Sequence, residues 1–195
     1  MLQAVCFDLD GTITRPVLDF TLMRSEIGSL TGPGTMLDQI ERLPEAERDR
    51  ALAVLYRHER EAARRAQLND GVLELLEFIR RRRLRTAIVT RNSAATTAAT
   101  LKNIGVRFDA VVTRDSGLPL KPDPAPLLHL CSEWDLDPSS ALMVGDYKYD
   151  IEAGRAAGTL TCLVTNGLDR ERGGADWVVR TPGEVIAVIE EESRQ

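Results

Sequence analysis

The chain has 195 residues, 25 Lys plus Arg against 30 Asp plus Glu, a formal net charge of −5 and 43% hydrophobic residues. That length supports one hydrophobic core, or one core with a small satellite, and mild acidity argues against a nucleic-acid surface, which is normally basic. No apolar run approaches the roughly 20 residues that span a bilayer, and the opening MLQAVCFDLD lacks the charged start and cleavage site of a secretion signal, so a cytoplasmic protein with no membrane partner is expected. Leu2–Phe7 is the first of six short apolar runs, and it ends on Asp8-Leu9-Asp10-Gly11-Thr12. From 15 to 67 no strand pattern occurs. Residues 41–65 hold seven arginines and six acids, with Leu52, Leu55 and Tyr56 as a thin apolar stripe, which reads as a helical insertion broken by a turn at Thr31–Gly34. Val72, Leu75, Leu76 and Ile79 then recur at helical spacing. The arginines at 80–83 and 85 read as a solvated helix end that complements the helix dipole.

The remaining apolar runs are Thr86–Val89, Ala110–Val112, Ala141–Val144, Leu160–Val164 and Trp177–Val179. Runs this short, without polar alternation, fit strands covered on both faces. Asp123-Pro124 predicts a helix start leading toward Trp134, and Thr181-Pro182-Gly183-Glu184 predicts a capping box opening the last helix. Strands alternating with helices imply an α/β fold with a doubly wound, mostly parallel sheet. Cys6, Cys131 and Cys162 are odd in number, far apart and in apolar contexts, so buried free thiols of a reducing compartment are expected.

Four motifs follow predicted strands, where open α/β sheets bind ligands. Asp8 and Asp10 alternate along an extended segment and can point the same way. Two adjacent carboxylates need a cation or a shared proton, and hard oxygen ligands suit Mg²⁺. Thr90, followed by Arg91-Asn92-Ser93, offers a hydroxyl and main-chain N–H groups to an anion. Lys121 is held in a defined direction by the proline after it. In Gly145-Asp146-Tyr147-Lys148-Tyr149-Asp150, a helix capped by Asp146 would set Asp146 and Asp150 one turn apart. Each motif alone also fits a plain turn, an N-cap or a surface lysine. Together they suit phosphoryl transfer, in which cations must screen an anionic phosphate before a carboxylate attacks.

With these four motifs in order, the chain resembles the haloacid dehalogenase-like hydrolase superfamily, on its phosphoglycolate-phosphatase branch. Residues 68–82 and the pairs Ala153-Gly154 and Ala157-Gly158 extend the likeness. The resemblance implies a Rossmann-like core of 1–14 and 68–195 and a small all-α cap of 15–67. It implies a phosphatase acting on a small-molecule phosphate ester, with Asp8 as nucleophile and Asp10 as acid and base. Thr90 and Lys121 would hold phosphate, with main-chain groups of Leu9, Asp10 and Arg91 and with Asn92 nearby. Mg²⁺ would be bound by Asp8, the Asp10 main-chain carbonyl and Asp146, with Asp150 behind them near Lys121.

The second aspartate of the first motif argues against the metal-free dehalogenases. The absence of lysine from 15–67 argues against imine-forming phosphonate hydrolases. A sugar-phosphate mutase and a non-catalytic, receiver-like phosphate-binding module are the alternatives. Arg24, Arg57, His58, Arg60 and Arg64 of the cap, with Arg91 and Asn92 of the core, are candidate contacts to substrate, and a monomer or weak homo-oligomer is expected.

Overall fold

Residues 1–28 and 30–194 are described by the structure, a computed structural model. Strand β1 (Ala4–Phe7) is followed by helices α1 (Phe20–Ile27), α2 (Met36–Glu41) and α3 (Glu45–Arg65). Helix α4 (Val72–Arg82) then leads into β2 (Arg85–Val89), α5 (Ala94–Ile104), β3 (Ala110–Val112) and α6 (Ala125–Glu133). The chain continues through β4 (Ala141–Gly145), α7 (Lys148–Ala157), β5 (Leu160–Val164), β6 (Trp177–Val179) and α8 (Val185–Glu192). The strands form one parallel sheet in the order β3-β2-β1-β4-β5-β6. This is the doubly wound α/β architecture that the alternation predicts.

Strand β1 shows why the apolar runs lack alternation. Val5 and Phe7 pack with Val72, Leu75 and Ile79 of α4 and Val185, Val188 and Ile189 of α8. Cys6 turns to the other face, against Leu127 and Leu130 of α6 and Ala153 and Ala157 of α7. Both faces are dry, so both parities are apolar. A fully buried side chain such as Phe7 contributes about 1.5–3 kcal/mol. The cysteines are buried free thiols, and burial pushes Cys6 and Cys162 up to about 12, which keeps them protonated.

Helices α1, α2 and α3 gather their own cluster of Met23, Met36, Leu37, Ile40, Ala51 and Leu55, with Leu120 packed against it. The two connections to them are pinned together by a bridge between Thr14 and Leu68 and an exposed Arg15–Asp70 pair at 2.7 Å. Helix α3 lies beside α5, where Asn103 Nδ2 donates to the carbonyl of Ala66 at 3.0 Å. The inward stripe of α3 is Ala51, Leu55, Glu59 and Ala63, while Tyr56 is 39% exposed. The apolar stripe read from the sequence therefore misses the acid on that face. Among the described residues no helix is long and apolar enough to cross a membrane.

Three helix starts differ from expectation. At 181–184 the carboxylate of Glu184 accepts the Arg180 N–H at 2.9 Å, so it does not close a capping box. Pro182–Glu184 forms a 3-10 turn and the α-helix begins at Val185. Helix α6 begins at Ala125, with Pro124 at the cap position and Asp123 accepting the Ala125 N–H at 2.8 Å. Helix α7 begins at Lys148, two residues after Asp146, so Asp146 lies in the loop and does not cap the helix. The arginines of 80–83 do end α4, with Arg81 paired to Glu77 at 2.6 Å in solvent.

Candidate active site

The strand register assembles the site. Phe7 pairs with Ile88 of β2 and with Val144 of β4. Asp8 therefore leaves the sheet level with Val89 and Gly145, the last residues of β2 and β4, where the strand order reverses direction. The Asp8 N–H donates to the carbonyl of Val144 at 2.9 Å. Gly11 has φ +79°, and a Cβ there would run into the Asp146 carboxylate. A Cβ at Gly145 would run into Asp150. Glycine at 11 lets the two acidic loops close on each other, and glycine at 145 lets Asp150 fold back over its own strand end.

Lys121 is the hub, 3% exposed, with Nζ donating to Asp8 Oδ1 at 2.7 Å and to Asp150 Oδ1 at 2.6 Å. The other oxygen of Asp150 accepts the Tyr147 N–H at 3.0 Å, fixing that carboxylate at the first turn of α7. Burial works against the charge on Lys121, but Asp150 and Asp8 outweigh it and push its pKa above the ordinary lysine value. Burial lifts the Asp8 carboxyl to about 8, opposed by Lys121 and reinforced by Asp150 and Asp146. Burial and the Asp150 charge lift Asp146 to about 7. Arg170 opposes that rise, with Nη2 3.3 Å from Asp146 Oδ2 and a second donation to the Asp146 carbonyl.

Asp10 is held apart from the lysine. Its Oδ2 accepts from Asn92 Nδ2 at 2.5 Å and its Oδ1 from Thr14 Oγ1 at 3.5 Å. Burial raises its pKa against both bonds. The two carboxyls of this loop thus have different partners, an ammonium group for Asp8 and an amide and a hydroxyl for Asp10.

Asp8, Asp146 and Asp150 each offer a carboxylate oxygen, all within 4.8 Å of one another. Asp150 already spends one oxygen on Lys121 and the other on a main-chain N–H. Asp8 and Asp146 thus carry the crowded negative charge, and their raised pKa values mark a demand for a cation. Hard oxygens in this arrangement fit a small divalent ion.

A pH dependence follows. Between the ordinary carboxyl value of 3.8 and the native values of about 7 and 8, the folded chain holds protons that the unfolded chain has lost. Stability of the metal-free protein is full below that window and falls as pH rises through it. Thermal midpoints measured in EDTA from about pH 5 to about pH 9 are expected to decrease, and Mg²⁺ should flatten the decrease. A midpoint that climbs across the window would contradict this electrostatic account.

The other sequence candidates find varied places. Thr90 directly follows β2, 4% exposed, and its hydroxyl oxygen accepts the Asn92 N–H at 3.2 Å. The Leu9 side chain is fully buried and its carbonyl accepts the Thr14 N–H at 2.9 Å, so only main chain of Leu9 faces the loop. Asn92 is spent on Asp10. Arg91 turns outward, donating to Thr35 Oγ1 at 2.6 Å, to Asp38 Oδ1 at 2.7 Å and to the carbonyl of Lys121. The side chains of Arg91 and Asn92 therefore bind protein groups, where the sequence offered them to substrate. Arg24 reaches Gln39 at 2.9 Å, while Arg57 and His58 reach Glu26, the histidine at 3.0 Å. Arg60 is exposed and Arg64 is 4.0 Å from Glu61 in solvent.

Sequence reasoning missed four participants. Arg170 sits on Asp146, and Arg114 pairs with Glu59 of α3. Asn69 and Asn166 both donate to the carbonyl of Gly11, at 3.2 and 2.7 Å, which anchors the loop carrying Asp8 and Asp10. Asn166-Gly167 signals a turn. Nothing local signals that its amide meets a carbonyl 155 positions away.

Fold and site together define a doubly wound α/β protein with a carboxylate–lysine centre at the switch point of its sheet. Residues 18–164 match the haloacid dehalogenase-like hydrolase family. The chain is 32% identical over 215 residues to the N-acetylmuramic acid 6-phosphate phosphatase of Pseudomonas putida, covering 97% of this chain and 96% of that one. It is 32% identical over 187 residues to a phosphoglycolate phosphatase of Cupriavidus necator, covering 84% and 81%. A crystal structure of a hydrolase from Pseudomonas syringae superimposes with a TM-score of 0.79 at 22% identity, over 98% of this chain and 99% of that one. The protein belongs to the haloacid dehalogenase-like hydrolase family.

Proposed function

We propose that the protein is a Mg²⁺-dependent phosphatase that hydrolyses a small-molecule phosphomonoester through a phosphoaspartyl intermediate on Asp8. The observation that carries this reading is Lys121 Nζ between Asp8 and Asp150, at 2.7 and 2.6 Å, with Asp10 held separately by Asn92. Asp8 and Asp146 would hold Mg²⁺, helped by the Asp10 main-chain carbonyl, with Asp150 behind them. Bound there, the ion supplies positive charge for the incoming phosphate and lets Asp8 ionise.

The chain's residues divide the work as follows. Lys121 aims one Asp8 oxygen and leaves the other free to attack. That oxygen forms a bond to phosphorus while the bond from phosphorus to the ester oxygen breaks. Asp10 gives its proton to the departing alkoxide. Asp10, now ionised, takes a proton from water, whose oxygen bonds to phosphorus as the Asp8–phosphorus bond breaks. Inorganic phosphate leaves and Asp8 returns as a carboxylate. Lys121 and the Thr90 hydroxyl stabilise the phosphoryl oxygens. Main-chain groups of Leu9, Asp10 and Arg91 would contact the same phosphoryl oxygens.

The helices of 15–67 act as a cap that keeps bulk water from the core of 1–14 and 68–195. The buried thiols support a cytoplasmic setting, and a monomer or weak homo-oligomer suffices because one chain supplies every residue named. The test is phosphate release from a panel of small phosphoesters, in Mg²⁺ and after EDTA. Turnover in Mg²⁺, its loss in EDTA and its return on adding Mg²⁺ are expected. Full activity in EDTA would contradict the proposed metal role.

A further inference from the structure

Between α2 and the loop of residues 114–122 lies a cavity of about 390 Å³, lined by Asp38, Glu41, Arg91, Arg114, Leu118 and Lys121 among others. That volume falls in the range of about 300–1,000 Å³ typical of small-molecule sites. Lys121 joins it to the chemistry, because the residue that borders the cavity also carries the ammonium group 2.7 Å from Asp8. Arg91, also on the cavity wall, follows Thr90 in the chain and donates to the Lys121 carbonyl.

The cations around this cavity already have carboxylate partners. Arg91 is paired with Asp38 at 2.7 Å, and its other donors go to Thr35 and the Lys121 carbonyl. Arg114 grips Glu59 with both terminal nitrogens, at 3.0 and 2.8 Å, and also donates to the Arg91 carbonyl at 3.0 Å; its Nε has no partner but is sealed from solvent, out of reach of an entering group. That pair is deeply buried, 11% and 3% exposed. Lys121 is taken by Asp8 and Asp150. Glu41, on the same wall, adds a negative charge. A carboxylate entering here would shed its water, find each lining cation already paired, and meet Asp38 and Glu41. Hydroxyl groups would instead find carboxylate and carbonyl acceptors.

We propose that this cavity takes the alcohol part of the phosphoester and selects an uncharged, hydroxylated alcohol over a carboxylated one. The inference rests on the phosphatase reading above and narrows its substrate class. It does not follow from the relatives' names, since phosphoglycolate is itself a carboxylated ester.

Two near-isosteric pairs test it on the wild-type protein with Mg²⁺. One pair is glycerol 3-phosphate against 3-phosphoglycerate, and the other is 2-hydroxyethyl phosphate against 2-phosphoglycolate. In each pair kcat/KM is expected to favour the neutral alcohol by about tenfold or more, since like charges facing each other are strongly disfavoured. In Glu59→Gln, which leaves Arg114 without its counter-charge, that preference should shrink by about threefold or more as a carboxylate gains a partner. Equal or faster turnover of the carboxylated esters by the wild type overturns the proposal. So does an unchanged preference in a Glu59→Gln variant shown to be folded by circular dichroism. If that variant does not fold, the wild-type ratio decides. Phosphate release from none of the four esters, or from any wider panel, contradicts the phosphatase reading itself and this inference with it.

Discussion

Asp8→Asn is expected to lower phosphate release by about 10⁴-fold or more, the scale seen when a covalent nucleophile is removed. The loss should fall on kcat, because the amide cannot form the bond to phosphorus. It should not come from unfolding. The amide oxygen of the substituted side chain can still accept from Lys121, and the substitution removes a buried carboxylate that Asp150 and Asp146 repel. The thermal midpoint in EDTA at about pH 8 should therefore be equal to or above that of the wild type, because Asp8 no longer has to lose a proton there. Steady-state rates and a melting curve on one preparation check both parts. Residual activity within about tenfold of the wild type would mean that another group attacks phosphorus.

Lys121→Met is expected to damage both activity and stability. The thioether has similar length but no charge, so Asp8 and Asp150 lose the ammonium group at 2.7 and 2.6 Å. Removing one partner of a buried charged cluster costs about 3–5 kcal/mol. For a chain of this size that is a drop of roughly 6–20 °C in midpoint. The sign has a pH signature. Asp8 is protonated below its native value of about 8, and a neutral carboxyl needs no counter-charge. The deficit of the variant should therefore shrink toward about pH 5 and widen toward about pH 9. Turnover should fall by about 10³-fold, as when a charge-stabilising donor is removed from a transition state. A midpoint loss that is flat with pH would mean that Lys121 matters for packing and not for charge.

The core was readable because its physics is local. Strands buried on both faces announce themselves as short apolar runs, and the runs at 110–112, 160–164 and 177–179 are strands with those bounds. Asp8 and Lys121 could be singled out because each follows a strand, and a parallel sheet collects its strand ends on one edge. What could not be read depends on partners distant in sequence. Glu59 sits in a run of alternating charges that looks solvated, yet its partner Arg114 is 55 residues away. Arg91 and Asn92 have the right types for holding an anion, and only the folded chain shows them spent on Asp38 and Asp10. The first turn of α7 illustrates the same limit. Asp150 and not Asp146 accepts the main-chain N–H at its start, because Asp146 is displaced into the loop that meets Gly11.

The central claim is that phosphoryl passes through Asp8, and trapping it there is the most direct test. Protein mixed with a turned-over phosphoester in Mg²⁺ should be acid-quenched during steady state and digested, and its peptides weighed. The account predicts one added phosphoryl group on the peptide containing Asp8, disappearing on a chase without substrate at the rate of turnover. Label on another residue, or turnover with no phosphoenzyme at any quench time, would contradict it. Label on Asp8 that persists without phosphate release would mark a receiver-like module instead of a phosphatase.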